Sequence, residues 1–438
     1  MPTEPRFDPT APLPGPPDPW AYTGQPRHRA GPPYHMTEMI DAEPALAGRL
    51  LRRDPAATGA LALAAAVRKT AAAGAPIVVT GCGTSEHGAQ GTAEILREAL
   101  RTAGFDDAKI VAGQALEVSL DAPGRGLVIG ISHEGGTGAT NAALAASRAA
   151  GARTALVTAS RRSPGGAIAE IVVETGELDQ SWCHTVGYLS PLLAATQAGG
   201  LVAERSLDAD AVVDLLAAGT RDVAGAEAIA GALADAAQLL VIASGADRAA
   251  GRELTLKVEE ASWLPSAYRD LETFLNGHLP ATGPETGLVL ILADRAHRAE
   301  RAVRARQALA AAREIGLRAA AILAADLDDS FEPSLTPAGR LLVAESAGLP
   351  APVAALIGTA TPLQLLTERL ARARGTNPDP IRRDAPAYLR ASAAAGGCAR
   401  PEASAGSAPY DSARSAVFEG PANRGCARMG LAGNHKRG

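Results

Sequence analysis

Pro76-Ile77-Val78-Val79-Thr80-Gly81-Cys82-Gly83-Thr84-Ser85 reads as a short β-branched strand that ends on glycine and runs into a helix opened by two hydroxyl residues. A continuous apolar run, without polar alternation, is what a strand covered on both faces needs, and such strands build parallel sheets. The unit recurs. Gly126-Leu127-Val128-Ile129-Gly130-Ile131 leads into Ser132-His133-Glu134-Gly135-Gly136-Thr137, Thr154-Ala155-Leu156-Val157-Thr158 leads into another glycine-bearing turn, and Ile171-Val172-Val173 supplies a fourth strand. Residues 239–243, 288–292 and 319–323 then repeat the alternation of apolar strand, turn and helical pattern. The first two strand ends of each set are almost equally spaced, from Thr80 to Ile131 and from Ala243 to Leu292. The pattern predicts an α/β chain of two tandem domains with parallel sheets covered by helices, and a boundary near residues 205–225.

A length of 438 residues accommodates two domains of about 100 to 200 residues with some left over. We expect the surplus at the ends. Residues 1–33 are crowded with proline and read as a disordered arm, and residues 391–438 are Ala, Gly, Ser and Arg without periodicity and read as a disordered tail. Residues 34–215 would hold N-terminal helices plus the first domain, and residues 220–390 the second domain with a C-terminal loop. Pro44 is expected to split the apolar pattern that starts at Met36 into two helices, and residues 56–73 continue as an alanine-rich helix.

Composition removes several function classes. Hydrophobic residues are 47% of the chain and net charge is −5, so nothing draws the protein to nucleic acid or to an anionic membrane surface. Five Phe, six Tyr and three Trp are too few for a base-stacking platform. Cys82, Cys183, Cys398 and Cys426 form no CxxC pair and no zinc spacing. The N-terminus lacks the apolar core of a signal peptide, and no stretch reaches the roughly 18 apolar residues of a membrane span, so a soluble cytoplasmic protein is expected.

In an open parallel sheet, ligands bind beyond the carboxyl ends of the strands. Gly81 to Ser85 and Ser132 to Thr137 both lie there, each offering backbone N–H groups, hydroxyls and a helix N-terminus to an anion. Glycine and serine at such turns also serve geometry and capping alone, so the pair of loops carries more weight than either. Neither is a P-loop, because the closing Gly-Lys-Ser/Thr is missing. Farther on, Glu253, Lys257 and Glu260 are spaced four and three apart on one helix face. A solvated salt-bridge ladder is the ordinary meaning of that spacing. Composition argues against it, since only four of the 42 basic residues are lysines and one of them stands here, beside Leu254, Leu256 and Val258. A partly buried glutamate beside a lysine is a proton shuttle in outline.

These residues together resemble the double sugar isomerase (SIS) domain family. The strand-GxGTS-helix unit, the later strand-Ser-x-x-Gly-x-Thr-helix unit and the Glu253/Lys257/Glu260 helix are similar to the isomerase half of glucosamine-6-phosphate synthase and to stand-alone phosphosugar isomerases and deaminases. Met36 through Glu43-Pro44 looks like that family's opening helix, and the likeness runs over residues 35–390. The resemblance implies two flavodoxin-like or Rossmann-like domains, a sugar-phosphate or aminosugar ligand, no cofactor or metal, no nucleic-acid or membrane partner, and a homodimer. It implies aldose–ketose isomerisation through an enediol or enolamine, with loss of a 2-amino group as ammonia left open. A non-catalytic sugar-phosphate sensor is the alternative; it would keep the first-domain loops without a proton shuttle. Carried over, Glu260 would be the acid/base, with Glu253 and Lys257 orienting or polarising the substrate. Thr84, Ser85, Ser132 and Thr137 would hold phosphate, and Gly83, His133, Glu134 and Ser181 complete the binding set.

The departures matter as much. Glu134 stands where the family has a hydroxyl, and a carboxylate there would repel a dianion unless it turns away. Asn276 replaces the ring-opening histidine, with His278 two residues on as the expected substitute. Pro386 stands where a tail lysine is expected, and His184 stands where the family has a lysine in a loop lining the site. No glutaminase domain is present, so glutamine-dependent synthesis is excluded for this chain alone. Cys82 lacks a base and reads as a small packed residue.

Overall fold

The computed structural model describes residues 7–13 and 28–395. Its frame is two five-stranded sheets in which every pairing is parallel. The first contains β1 (Ile77–Gly81), β2 (Ile110–Gln114), β3 (Leu127–Ile131), β4 (Arg153–Thr158) and β5 (Ile171–Glu174) in the order β2-β1-β3-β4-β5. The second contains β6 (Gln238–Ala243), β7 (Ser266–Asp270), β8 (Thr286–Leu292), β9 (Arg318–Ala324) and β10 (Gly339–Val343) in the order β10-β9-β8-β6-β7. Counted from its own first strand, each sheet has the flavodoxin-like order 2-1-3-4-5. The tandem α/β architecture expected from strand spacing is thus the architecture found.

The central strands are the apolar runs read from the sequence, since Leu127, Val128, Ile129 and Ile131 have helices on both sides and are buried. Three strands escape that signal, and all three are sheet edges. Val111 and Leu342 are exposed on β2 and β10, whose apolar runs are only three residues long, and all five residues of the polar strand β7 are half-exposed, so none of the three gives the long apolar run of a central strand.

Helix Ala351–Ala373 joins the two halves. Leu356, Ile357, Leu363, Leu366 and Leu370 sit in one core with Leu46 and Leu192 of the first half and Val241, Ile291 and Ile322 of the second. Its buried Glu368 accepts the Thr37 hydroxyl at 2.7 Å and Arg372 Nε at 2.6 Å. Asp379 accepts the N–H groups of His35 and Met36, each at 2.9 Å, so the far end of the chain caps the first helix.

The ends differ from expectation. Helix His35–Leu51 runs unbroken through Pro44, because burial of Met36, Met39, Ile40, Leu46 and Leu50 on both sides of the proline offsets its missing hydrogen bond. Residues 7–13 of the supposed arm are docked, with Leu13 buried and its N–H on Glu177 Oε2 at 2.9 Å. Arg49 fastens them by gripping Glu177 with Nε at 2.7 Å while donating to the Thr10 carbonyl. Helix Pro386–Ala394 overruns the expected start of the tail, and residues 396–438 lie outside the described residues.

Candidate active site

The sheet order places the carboxyl ends of β1 and β3 side by side where the winding of the first sheet reverses, and the two hydroxyl loops meet there. β1 passes through Gly83 at φ +57° and ψ −129°, a conformation that only glycine takes without strain, before helix Thr84–Thr102 begins. β3 passes into Ser132, whose buried hydroxyl donates to Thr137 Oγ1 at 3.2 Å. Gly135, at φ +72°, lets the loop press onto Ser163, where a Cβ would stand 2.2 Å from the Ser163 hydroxyl.

The second half contributes helix Asp247–Ser262. Leu254, Val258 and Ala261 bury one face, and the other presents Glu253, Lys257 and Glu260 to the first half. Lys257 is wholly enclosed, with Nζ 2.5 Å from Glu260 Oε2 and 3.7 Å from Glu253 Oε1. The solvated ladder is therefore excluded by burial. Enclosure alone would drive the Lys257 ammonium down, but the two carboxylates more than compensate and hold it above its ordinary range. Burial would likewise lift Glu253, yet Lys257, His87 and the Thr84 hydroxyl bring it below the usual carboxylate range. Glu260 ends above it, because burial outweighs the pull of Lys257. Two carboxyls on one helix thus differ in proton affinity, Glu253 held down and Glu260 raised.

His87 of helix Thr84–Thr102 closes the cluster, its Nδ1 2.7 Å from Glu253 Oε2. Beside it runs the 177–187 segment, organised by Asp179, whose carboxylate accepts the N–H groups of Ser181 (3.1 Å), Thr185 (2.6 Å) and Gly187 (3.1 Å). The His184 ring from that segment lies tilted against His133, with centroids 5.4 Å apart, and burial holds both imidazoles neutral, His133 at about 4 and His184 at about 3. Glu134 is half-buried and lifted above the carboxylate range by burial and by Asp179, with Arg383 opposing. Arg383 lies 4.9 Å over the Trp182 ring, in a segment where Ile381 and Arg382 take φ +42° and +64° and Arg382 is held between Trp263 (4.5 Å) and Tyr388 (4.2 Å).

No protein-family model and no curated protein matches this sequence. Solved structures do. The C-terminal domain of glucosamine-fructose-6-phosphate aminotransferase from Francisella tularensis aligns over 81% of this chain and 99% of its own, with a TM-score of 0.66 and 15% identity. Tagatose-6-phosphate ketose/aldose isomerase from Escherichia coli aligns over 82% and 98%, at 0.63 and 15%. Glucosamine-6-phosphate deaminase from Thermotoga maritima aligns over 69% and 87%, at 0.53 and 16%. The chain has the tandem SIS fold.

Within this SIS fold, Thr84, Glu253, Lys257 and Glu260 come together as one cluster, and His133, His184 and Glu134 border it through Lys257, Asp179 and Arg383. Gly83 and the half-buried Ser85 stand at the mouth of the first loop, Gly83 facing Leu256 of the opposite helix. Ser181 is engaged within its own segment, its hydroxyl accepting the Cys183 N–H at 3.2 Å. His278 is not brought to the cluster in this chain: it closes the 274–278 turn, which packs on residues 271–273 and 279–281. Cys82 and Cys183 have thiols raised by burial, which disfavours the thiolate. In the second half the corresponding crevice is filled from within, since Asp247 Oδ2 accepts the N–H groups of Ala293 and Asp294 at 2.8 and 2.9 Å. His87, Asp179 and Arg383 were not foreseen; a histidine three residues into the helix after Thr84 was the available sign of the first. Among the described residues no group of His, Cys, Asp or Glu is arranged to hold a metal, and no helix is long and apolar enough to cross a membrane.

Proposed function

We propose that this chain interconverts the aldose and ketose forms of a phosphorylated sugar or aminosugar, with Glu260 carrying the proton. The observation that supports this most is the Lys257–Glu260 contact at 2.5 Å on a helix facing the hydroxyl loops, with the lysine enclosed and the Glu260 side chain 22% exposed. The partly exposed Glu260 carboxylate takes the proton α to the carbonyl and returns it to the neighbouring carbon, while the enediol oxygens exchange theirs. Burial raises its proton affinity above that of an ordinary carboxylate, which favours the acceptor role. Lys257 is spent on Glu253 and Glu260, so it acts by holding the base in position; the developing oxyanion needs another donor. The N–H groups and hydroxyls around Gly83–Ser85 and Ser132–Thr137 take the phosphate, and Arg383 offsets Glu134 beside them. With a 2-amino substrate, the same transfer yields a ketimine that water hydrolyses with release of ammonia.

Solvent deuterium incorporation at C1 or C2 of hexose and hexosamine phosphates tests the reading. Wild type should incorporate label and Glu260→Gln should not; undiminished exchange in the variant would remove Glu260 from the role. Binding without exchange in wild type would leave the chain a sugar-phosphate-binding protein.

A further inference from the structure

His87 has the geometry of an oriented base, and the isomerase reading above leaves it without a task. Its Nδ1 meets Oε2 of Glu253 at 2.7 Å across the junction of the two halves. Glu253 is fully enclosed, and Lys257 stands 3.7 Å from its other oxygen, so the carboxylate is a fixed anion that cannot swing away. A buried carboxylate accepting from Nδ1–H selects one tautomer and leaves Nε2 as the basic nitrogen. The imidazole is 14% exposed, unlike the enclosed carboxylate behind it, and among the described residues no hydrogen bond or ion pair engages Nε2. Thr84, one helical turn earlier, places the phosphate-binding loop beside the same ring.

A hexose phosphate is cyclic, and no proton α to a carbonyl exists until the ring opens. His278, the residue expected to open it, lies on a different element and makes no bond to the cluster. We propose that His87 opens the sugar ring and that Glu253 is the positioning residue that holds its tautomer. Nε2 takes the proton from the anomeric hydroxyl, the bond from the anomeric carbon to the ring oxygen breaks as the carbonyl forms, and the imidazolium returns the same proton to the ring oxygen. No proton is gained or lost overall, and Glu260 then acts on the open chain.

The assignment rests on the isomerase reading, so the test separates the two. Deuterium exchange is followed with fructose 6-phosphate, which closes through O5, and with 5-deoxyfructose 6-phosphate, which stays open. His87→Ala should lose about 100-fold or more on the cyclic substrate, keep exchange within a few-fold of wild type on the open analogue, and regain turnover of the cyclic substrate with added imidazole. Glu253→Gln should shift the pH profile on the cyclic substrate more than on the open analogue, where it acts only through the charge it removes from beside Lys257 and Glu260. Equal losses on both substrates, or no loss on either, would overturn the His87 assignment while leaving the isomerase standing. A wild-type protein that exchanges neither substrate would overturn the isomerase reading for hexulose phosphates and the ring-opening role with it.

Discussion

The backbone N–H of Asp179 donates to Nε2 of His133 at 2.9 Å, and this bond joins the 177–187 segment to the loop after β3. It requires that nitrogen to be unprotonated, so the ring carries its proton on Nδ1. Burial and the neighbouring His184 hold it neutral, with a pKa lowered from 6.5 to about 4.

Protonating His133 must therefore cost stability. Its folded pKa lies below the unfolded value, so the unfolded chain binds more protons between pH 6.5 and about 4 and stability falls as pH falls through that window. Each such histidine contributes about 1.4 kcal/mol per pH unit there, and His184, at about 3, acts in the same direction. Asp247, raised to about 7, acts in the opposite one, so the comparison is with a variant. Urea unfolding of wild type and His133→Gln across pH 4.5 to 7.5 should show a shallower acid decline in the variant; parallel curves would refute a buried neutral His133.

Lys257→Met removes the cation from between two carboxylates. We expect a loss of about 3–5 kcal/mol in unfolding free energy, read as a lower urea midpoint with the slope unchanged. Adding Glu253→Gln should recover part of it, because the uncompensated charge is what destabilises. No difference between the single and double variants would mean the cluster is hydrated.

Two glycines separate backbone strain from crowding. Gly83→Ala meets nothing nearer than Leu256 Cδ2 at 3.9 Å, so its cost is that of the conformation, about 1–3 kcal/mol. Gly135→Ala adds a collision with the Ser163 hydroxyl at 2.2 Å and should cost more. In the Ser163→Gly background the Gly135→Ala penalty should shrink and the Gly83→Ala penalty should not, as thermal unfolding would show.

Asp179→Ala deprives the N–H groups of Ser181, Thr185 and Gly187 of their acceptor. At roughly 1–3 kcal/mol for a buried group left unpaired, amide hydrogen exchange at Thr185 and Gly187 should accelerate tenfold or more. Amides of β3 and β8 should be unchanged, and uniform acceleration throughout would point to global rather than local opening.

The strand runs 77–80, 126–131 and 239–243 were legible because a central parallel strand is apolar on both faces, and sequence records that directly. The run at 77–80, with the glycine and hydroxyl residues after it, determined the fold class and where a ligand can lie. Helical spacing placed Glu253, Lys257 and Glu260 on one face, and lysine scarcity marked Lys257. Tertiary structure decided the rest. Edge strands β2, β7 and β10 pair on one side only; β7 is polar, and β2 and β10 hold just three consecutive apolar residues each, so they left no pattern. Pro44 carries a strong local preference that packing on both sides overrides. His87 and Glu253 are 166 residues apart, and no local rule predicts that a carboxylate of one half will hold an imidazole of the other. Local sequence encodes the period and burial of each element; the pairing of charges between elements exists only once hydrophobic burial has brought the two halves together.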